Sequence, residues 1–165
     1  MSSALWALGV VAVIVLAVAV FSVKVLREYE RGVVFRLGRT RPLYGPGIVA
    51  LIPGVDRMVR VDQRVITVTI PPQEVITRDN VPARVSAVVM FCVVDPRAAI
   101  LAVENYAVAT SQIAQTTLRS LLGRVDLDNL LAHRDDLNRD LQTVIEKQTK
   151  PWGVEVRVVE IKDVE

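Results

Sequence analysis

One uninterrupted apolar run near the N-terminus limits what this chain can be. Residues 4–23 read ALWALGVVAVIVLAVAVFSV and contain neither a charge nor a proline. At about 1.5 Å rise per residue, a helix of this length crosses a hydrocarbon core of about 30 Å. We therefore predict a membrane-spanning helix within an N-terminal anchor, residues 1–27. Its lipid-facing anchor residues are expected to be Leu5, Trp6, Leu8, Val11, Ile14, Leu16 and Phe21.

A cleaved signal peptide is the alternative for this run. Ala17 and Ala19 form an A-x-A pattern after the apolar stretch, but no positive region precedes it, and this favours a retained anchor. Basic residues follow the run, so the positive-inside rule predicts a single-pass plasma-membrane protein with its C-terminal part in the cytoplasm. The expected interface residues after the helix are Lys24, Arg27, Tyr29 and Arg31.

Composition argues against several functional classes. The twenty basic residues are interleaved with eighteen acidic ones, for a formal charge of +2, which does not resemble the basic face of a nucleic-acid-binding protein. With one cysteine, Cys92, and one histidine, His133, the chain cannot build a disulfide framework or a zinc site of several Cys and His ligands. Aspartate spacing matches no EF-hand loop. We predict no catalytic residue, no metal and no cofactor.

The remainder, residues 28–165, is expected to form one α+β domain. Strand-like stretches come first, at residues 32–39 and 64–70 and in a hairpin whose arms, 73–77 and 81–94, flank Arg78-Asp79-Asn80. This hairpin should form the centre of a mixed or antiparallel sheet. Asp95-Pro96 reads as a helix start, and the alternating stretch 153–164 as a final strand.

Packed helices are predicted between the hairpin and the final strand. Residues 106–122 have an apolar stripe and end at Gly123; Asp126 should cap a short turn that buries its leucines. The next helix, about 133–150, should bury Leu137, Leu141, Val144 and Ile145. Its other face is charged and is a candidate subunit contact, formed by Arg134, Asp135, Asp136, Arg139 and Asp140.

An apolar segment between Gly45-Pro46-Gly47 and Pro53-Gly54 has two interpretations. It is either a loop that dips into the membrane or a short buried strand, and the residues themselves do not decide between them. The residues concerned are Ile48, Val49, Leu51 and Ile52.

Three separated stretches carry a family resemblance: PPQEVITRDNVPARVSAVVMFCVVDP, AQTTLRSLLGRVDLDNLLAHRDDL and WGVEVRVVEIKDV. Together they resemble the SPFH (band 7, prohibitin-homology) domain of stomatin-like proteins, the slipins. The resemblance implies an oligomeric membrane scaffold that organises membrane microdomains and associates with membrane proteins, without catalytic residues. It also favours membrane contact for residues 48–52.

The resemblance has further implications. An accessory subunit that regulates a membrane protease of the NfeD type, or a channel, is the alternative function. Similar proteins usually continue past the IKDV motif into a long coiled-coil segment, so the sequence ending at Glu165 is expected to lack that segment. The run at residues 4–23 has no proline of the kind that bends a re-entrant hairpin, and this favours a spanning helix.

Overall fold

A computed structural model describes residues 9, 13, 16 and 19–164, in a chain that forms two compact units, residues 1–62 and 63–165. The sequence had predicted a single domain over residues 28–165, so the division after Asp62 was not foreseen. Among the described residues, no helix is both long enough and apolar enough to cross a bilayer. Of the predicted anchor residues, Leu5, Trp6, Leu8, Val11 and Ile14 lie outside the described part of the chain.

The first unit, residues 1–62, is built from short antiparallel strands. These are β1 (Val23–Leu26), β2 (Glu30–Arg36), β3 (Arg39–Thr40), β4 (Gly47–Ala50) and β5 (Asp56–Asp62). β1 pairs with β4 as a two-stranded ribbon, and β3, β2 and β5 form a three-stranded sheet in that order. Residues 19–22 are helical and β1 follows at once, so the prediction that the helix includes Val23 was wrong.

A small apolar cluster fills this unit. Leu26 from β1 and Val49 from β4 pack with Val34 of β2 and with Leu51, and Met58 of β5 lies against them. Gly32 permits this close approach, because a Cβ there would lie 2.9 Å from both the Leu26 Cδ1 and the Met58 Sδ.

The second unit contains a three-stranded antiparallel sheet in the order β6-β7-β8. Its strands are β6 (Ile66–Ile76), β7 (Pro82–Val93) and β8 (Val154–Val164). The predicted hairpin is confirmed, with β7 at the centre of the sheet. β6 is longer than predicted because it continues through Pro71-Pro72 by means of a register shift between Ile70 and Gln73.

Four helices connect β7 to β8: α1 (Pro96–Leu101), α2 (Tyr106–Leu122), α3 (Leu127–Ala132) and α4 (Arg134–Thr149), followed by a 3₁₀ turn (Lys150–Trp152). Asp95 caps α1 as predicted, since its Oδ1 accepts the Arg97 and Ala98 N–H groups at 3.0 and 3.2 Å. The α+β fold is confirmed. The core of this unit joins the sheet to α2, α3 and α4 around Val85, Val89, Phe91, Leu118, Leu122, Leu130, Leu141 and Ile145.

Some predicted details of this unit were wrong. Val144 and Leu131 were expected to be buried but are 41% and 50% exposed, and Val158 is 45% exposed. For Val158 the reason is a register shift between Met90 and Phe91, which interrupts the inward alternation of β8. Asp126 makes no side-chain capping bond to α3. Instead Asp79, in the hairpin turn, accepts the Leu127 N–H at 3.4 Å.

Candidate functional site

The β1–β4 ribbon has one apolar face turned to the outside. Val23 lies opposite Ala50, and Val25 lies opposite Ile48. Because cross-strand partners point to the same side of a ribbon, these four residues share a face. All four are exposed, with 61% of Val25 and 78% of Ile48 accessible. We call Val23, Val25, Ile48 and Ala50 the ribbon face.

The ribbon face is connected directly to the apolar run at the N-terminus. Val20 and Phe21 are helical and about as exposed as the ribbon face, at 68% and 70%. The Leu51 N–H donates to the Ser22 carbonyl at 2.7 Å, which fixes the end of the run beside the end of β4. Leu16, a predicted anchor residue like Phe21, is also exposed. Apolar exposure is thus continuous along the chain from the run into the ribbon.

The structure separates the predicted interface residues of the segment 48–52. Ile48 is on the ribbon face and Ile52 is 50% exposed, whereas Val49 and Leu51 are 4% and 8% exposed. Val49 and Leu51 pack inside the unit, so predicting them as membrane-interface residues was wrong. The segment begins in a strand, and alternation sends neighbouring residues to opposite sides. A short strand and an exposed apolar surface therefore occur together.

Basic and aromatic residues follow the ribbon at the end of β1. The Arg27 Nη1 donates to the Tyr29 hydroxyl at 2.6 Å, and the guanidinium lies 5.9 Å from the centroid of the Tyr29 ring. Arg31 donates to the Glu28 carbonyl at 3.3 Å, and Lys24 is exposed within β1. The structure thus brings Arg27 and Tyr29 together. Lys24 lies within β1, and the other three predicted residues lie within five residues after the end of that strand.

An ion pair with a buried carboxylate supports the segment after β4, and no pattern in the sequence predicted it. Arg36 binds Asp56 through Nε and Nη2 at 2.6 and 2.7 Å, and the Asp56 side chain is 1% exposed. Asp56 Oδ2 also accepts the Ile52 N–H at 3.0 Å. The hydrogen bond from Arg36, followed by that from Ile52, lowers the pKa of Asp56 from 3.8 to about 2. The ionised carboxylate therefore holds the turn that positions Ile52.

The predicted subunit-contact face lies on α4. Asp135, Asp136, Arg139 and Asp140 are exposed and Arg134 is half-buried. Arg139 lies 3.5 Å from Asp136, three residues earlier on the same helix face.

A different face of α4 is engaged with β8. Gln142 donates to the Val156 and Arg157 carbonyls at 3.2 and 3.1 Å, and Asn138 accepts the Ile161 N–H at 3.0 Å. These bonds to the neighbouring strand fix α4 in place, so its charged face is presented on a rigid element.

The structure also places Cys92 and His133, the single cysteine and the single histidine of the chain. Cys92 is buried on β7, and its hydrogen bond with Arg157 raises the pKa of that guanidinium. His133 lies between α3 and α4. Within the described residues, no group of three or more His, Cys, Asp and Glu side chains is arranged to hold a metal ion.

A groove in the second unit was not predicted. It has a volume of about 570 Å³ and lies between α2 and α4 beside the 3₁₀ turn. Apolar side chains of Ile113, Leu121, Val144 and Trp152 line it together with several polar residues and Arg124. The exposure of Val144, which the helical pattern alone did not indicate, belongs to this groove.

Comparison with known proteins identifies the family. A family model described as SPFH domain / Band 7 family matches residues 24–165. The chain belongs to this family. A stomatin homologue of Pyrococcus horikoshii is 52% identical over 159 residues, covering 94% of this chain and 60% of the relative. Human stomatin-like protein 3 is 43% identical over 143 residues, covering 86% of this chain and 49% of the relative.

A third relative, mechanosensory protein 2 of Caenorhabditis elegans, is 43% identical over 148 residues, covering 88% of this chain and 31% of the relative. The chain spans about three fifths or less of the length of these three relatives. The family match begins at Lys24, within β1. Both strands of the ribbon except Val23 therefore fall within the SPFH match, whereas residues 24–27 were predicted to belong to the anchor.

Proposed function

We propose that this SPFH-domain protein is a membrane-bound, non-enzymatic scaffold of the stomatin type whose ribbon face lies against the bilayer. One observation carries the proposal: the ribbon face is apolar, exposed and continuous with the apolar run at the N-terminus. Large contiguous apolar patches on a protein surface commonly mark sites of membrane or protein contact.

The free energy gained when the ribbon face contacts lipid can be estimated from its exposed side chains. Burying a Val or Ile side chain completely contributes about 1.5–3 kcal/mol. The exposed fractions of Val25 and Ile48 therefore offer a few kcal/mol in total when the ribbon face leaves water. That is weak for a free protein. It is sufficient for a domain that an N-terminal helix already holds at the membrane, because the second contact is then intramolecular.

We place the protein in the plasma membrane as a single-pass protein, with the SPFH domain in the cytoplasm. The supporting pattern is the uncharged run at residues 4–23 followed by Lys24, Arg27 and Arg31. A reporter enzyme fused after Glu165 should be active only on the cytoplasmic side. Activity confined to the outer face would contradict this orientation.

The contact of the ribbon face with lipid can be measured directly. The full chain, with Cys92 replaced by alanine, is reconstituted in vesicles with an environment-sensitive dye attached to Ile48→Cys. Quenchers fixed to the lipid chains should reduce its emission strongly, and a dye at Val108→Cys, which is 51% exposed on α2, serves as the control. A dye at position 48 that only water-soluble quenchers reach would refute the proposal.

We further propose that copies of the chain associate through the charged face of α4. Arg139 and its acidic neighbours can pair with the same face of a second copy, as in a two-fold interface. Arg139→Glu and Asp136→Arg should each reduce the oligomer mass measured by light scattering in detergent, and mixing the two variants should restore it. Arg124→Glu, an exposed change elsewhere, is the control. A mass that none of these variants changes would exclude this face.

The alternative function is that of an accessory subunit of a membrane protease or channel. The groove of about 570 Å³ beside Trp152 favours it, because an amphipathic helix of a partner can lay its apolar face into an apolar groove. Size analysis after mild detergent extraction separates the two functions. A homo-oligomer supports the scaffold, whereas a complex with one copy of another membrane protein supports the accessory subunit.

A further inference from the structure

The turn between β2 and β3 presents an exposed leucine in an unfavourable backbone conformation. Leu37 and Gly38 connect the two strands with φ values of +48° and +81°, both positive, as in a type I′ turn. Glycine and asparagine adopt this conformation readily, whereas a leucine is strained in it. Leu37 is nevertheless 82% exposed. Neither the backbone of the turn nor burial within the chain therefore accounts for a leucine at this position.

Backbone hydrogen bonds place this turn beside the end of the apolar run. The Leu51 N–H donates to the Ser22 carbonyl at 2.7 Å, where the run ends. The next residue, Ile52, accepts the Val55 N–H at 3.2 Å, and the Val55 carbonyl accepts the Leu37 N–H at 3.3 Å. The β2–β3 turn and the β4–β5 turn therefore lie at one end of the first unit, next to the run. We call residues 37–38 and 51–55 the turn end.

The turn end and the residues that adjoin it expose large apolar side chains. Ile52 is 50% exposed, and Pro53 and Gly54 after it are exposed as well. Phe21, one residue before the Ser22 carbonyl that binds Leu51, is 70% exposed. The exposed leucine of the β2–β3 turn is thus part of an apolar surface that borders the run.

Carboxylates are concentrated away from the turn end. Residues 1–62 contain eight basic and four acidic residues, a formal charge of +4, whereas residues 63–165 have a charge of −2. Glu30 pairs with Asp62 at the other end of β2, about 20 Å along the strand from the turn, and Glu28 precedes it by two residues. The fourth acidic residue, Asp56, is bound by Arg36, and its side chain is 1% exposed. Among residues 19–62, which the structure describes, the turn end therefore has no exposed carboxylate that would oppose burial in lipid.

From this placement we propose that the turn end inserts into the surface of the bilayer, with Leu37 and Ile52 reaching the boundary between headgroups and acyl chains. The bilayer is the occupant that the chain itself supports, because the run at residues 4–23 is long enough to span it and ends against the turn end. The inference rests on the proposed membrane attachment but uses a surface other than the ribbon face. Contact with lipid also accounts for the strained, exposed leucine in the turn.

The insertion can be tested with the full chain reconstituted in phosphatidylcholine vesicles, in the Cys92→Ala background. An environment-sensitive dye is attached to Leu37→Cys or to Ile52→Cys. Quenchers fixed to the lipid chains should reduce the emission of both dyes, and water-soluble quenchers should have little effect. Glu28→Cys, which is exposed at the opposite end of the same unit, is the matched control, and a dye there should be reached from water.

A substitution in the turn separates stability from docking. Leu37→Asn relieves the backbone strain and removes the apolar side chain, so the two measurements should change in opposite directions. The thermal midpoint of unfolding in detergent, followed by circular dichroism, should rise. The docked-to-undocked ratio, read from the dye at Ile52→Cys, should fall about tenfold. Leu43→Asn is the matched control: Leu43 is 44% exposed in the same unit but lies outside the turn end, and its substitution should leave docking unchanged.

The outcomes separate this inference from the proposed function. A dye at position 37 that only water-soluble quenchers reach overturns the inference, and the ribbon-face contact stands if the dye at Ile48→Cys is still quenched from the lipid. Lipid quenching at position 37 but not at 48 supports the turn end and overturns the ribbon-face contact. Shielding of the dye at position 37 from both kinds of quencher indicates a protein contact and overturns the lipid assignment. The inference also fails if Leu37→Asn leaves docking unchanged, or if it lowers the thermal midpoint together with docking, since the turn would then be structural.

Discussion

The two units solve the problem of apolar surface in different ways. In the second unit, the sheet and three helices enclose a large cluster that includes Phe91, Leu118 and Leu141, each at most 1% exposed. In the first, the cluster is small, and Leu37, Ile48 and Phe21 are 82%, 78% and 70% exposed. The second unit is therefore stabilised by its own interior, whereas the first leaves several large apolar side chains accessible to solvent.

The two units also differ in net charge and in their polar side-chain contacts. The first unit is basic and contains the bidentate Arg36–Asp56 pair beside its small core. The second is acidic, with charged helix surfaces and side-chain bonds that join α4 to β8. If this comparison is correct, substitutions in the interior of the second unit should lower the free energy of unfolding most. Substitutions on the exterior of the first unit should weaken membrane docking without changing that free energy.

We expect the greatest loss of stability from changes in the interior of the second unit. Leu118→Ala should lower the free energy of unfolding by about 2–5 kcal/mol, because Leu118 is 1% exposed and its removal leaves a cavity. Urea denaturation followed by Trp152 fluorescence, in a Trp6→Phe background, measures this. Leu101→Ala is the control: Leu101 is 54% exposed and should change stability by less than about 0.5 kcal/mol. Equal losses would show that the helices are not held by this core.

A slightly smaller effect is expected where α4 and its 3₁₀ turn lead into β8. Gly153 has a φ of +67°, and a Cβ there would lie 2.6 Å from the Asp95 Cβ and carbonyl oxygen. Gly153→Ala should cost about 2–4 kcal/mol, for left-handed backbone strain and for displacement of Asp95. In the first unit, Gly38 has a φ of +81°, and a Cβ there would meet no atom within 4 Å. Gly38→Ala should therefore lower the free energy of unfolding only through the backbone strain. The same thermal shift for both variants would contradict the close contact.

The ion pair of the first unit predicts a pH dependence. The folded pKa of Asp56 is about 2, below the ordinary 3.8, so the ionised carboxylate stabilises the fold above about pH 4. This stabilisation is lost as the pH falls through 3.8 towards 2. Asp56→Asn should remove that part of the acid dependence while retaining the side-chain shape. NMR titration of the Asp56 carboxyl measures its pKa, and a midpoint near 4 would show that the pair does not form.

Much of the second unit was predictable because its signals are local. Asp95-Pro96 marks the start of α1 through side-chain capping and ring geometry, and Gly123 marks the end of α2. The hairpin at Arg78-Asp79-Asn80 depends on residues that tolerate turns, and Asn80 indeed has a φ of 62°. Each of these features is determined within a few residues of where it occurs.

The features that the sequence did not predict depend on pairing between segments that are distant in the chain. β5, residues 56–62, was missed because DRMVRVD mixes charge with apolar residues and becomes a strand by pairing with β2. The exposure of Val158 follows from a register shift opposite β7, which periodicity cannot indicate. The Arg36–Asp56 pair also depends on the register of β2 and β5.

The candidate site was predictable in location but not in residue detail. The sequence drew attention to residues 48–52 because turns enclose an apolar segment. It could not assign Ile48 to the outside and Val49 to the inside, since that choice depends on which side of β4 meets the small core. The charge separation between units was present in the sequence, but it becomes visible once the division after Asp62 is known.

The smallest expected effect on folding is at the ribbon face, and it tests the comparison most directly. Ile48→Thr keeps a β-branched side chain on a strand, and with 78% of Ile48 exposed the free energy of unfolding should change by less than about 0.5 kcal/mol. Val49→Thr makes a similar change one residue along, where 4% exposure leaves a buried hydroxyl, and should cost about 1–3 kcal/mol. Chemical denaturation measures both. Only Ile48→Thr should weaken membrane docking while the fold stays intact; if it instead destabilised the unit as much as Val49→Thr, the ribbon face would belong to the interior.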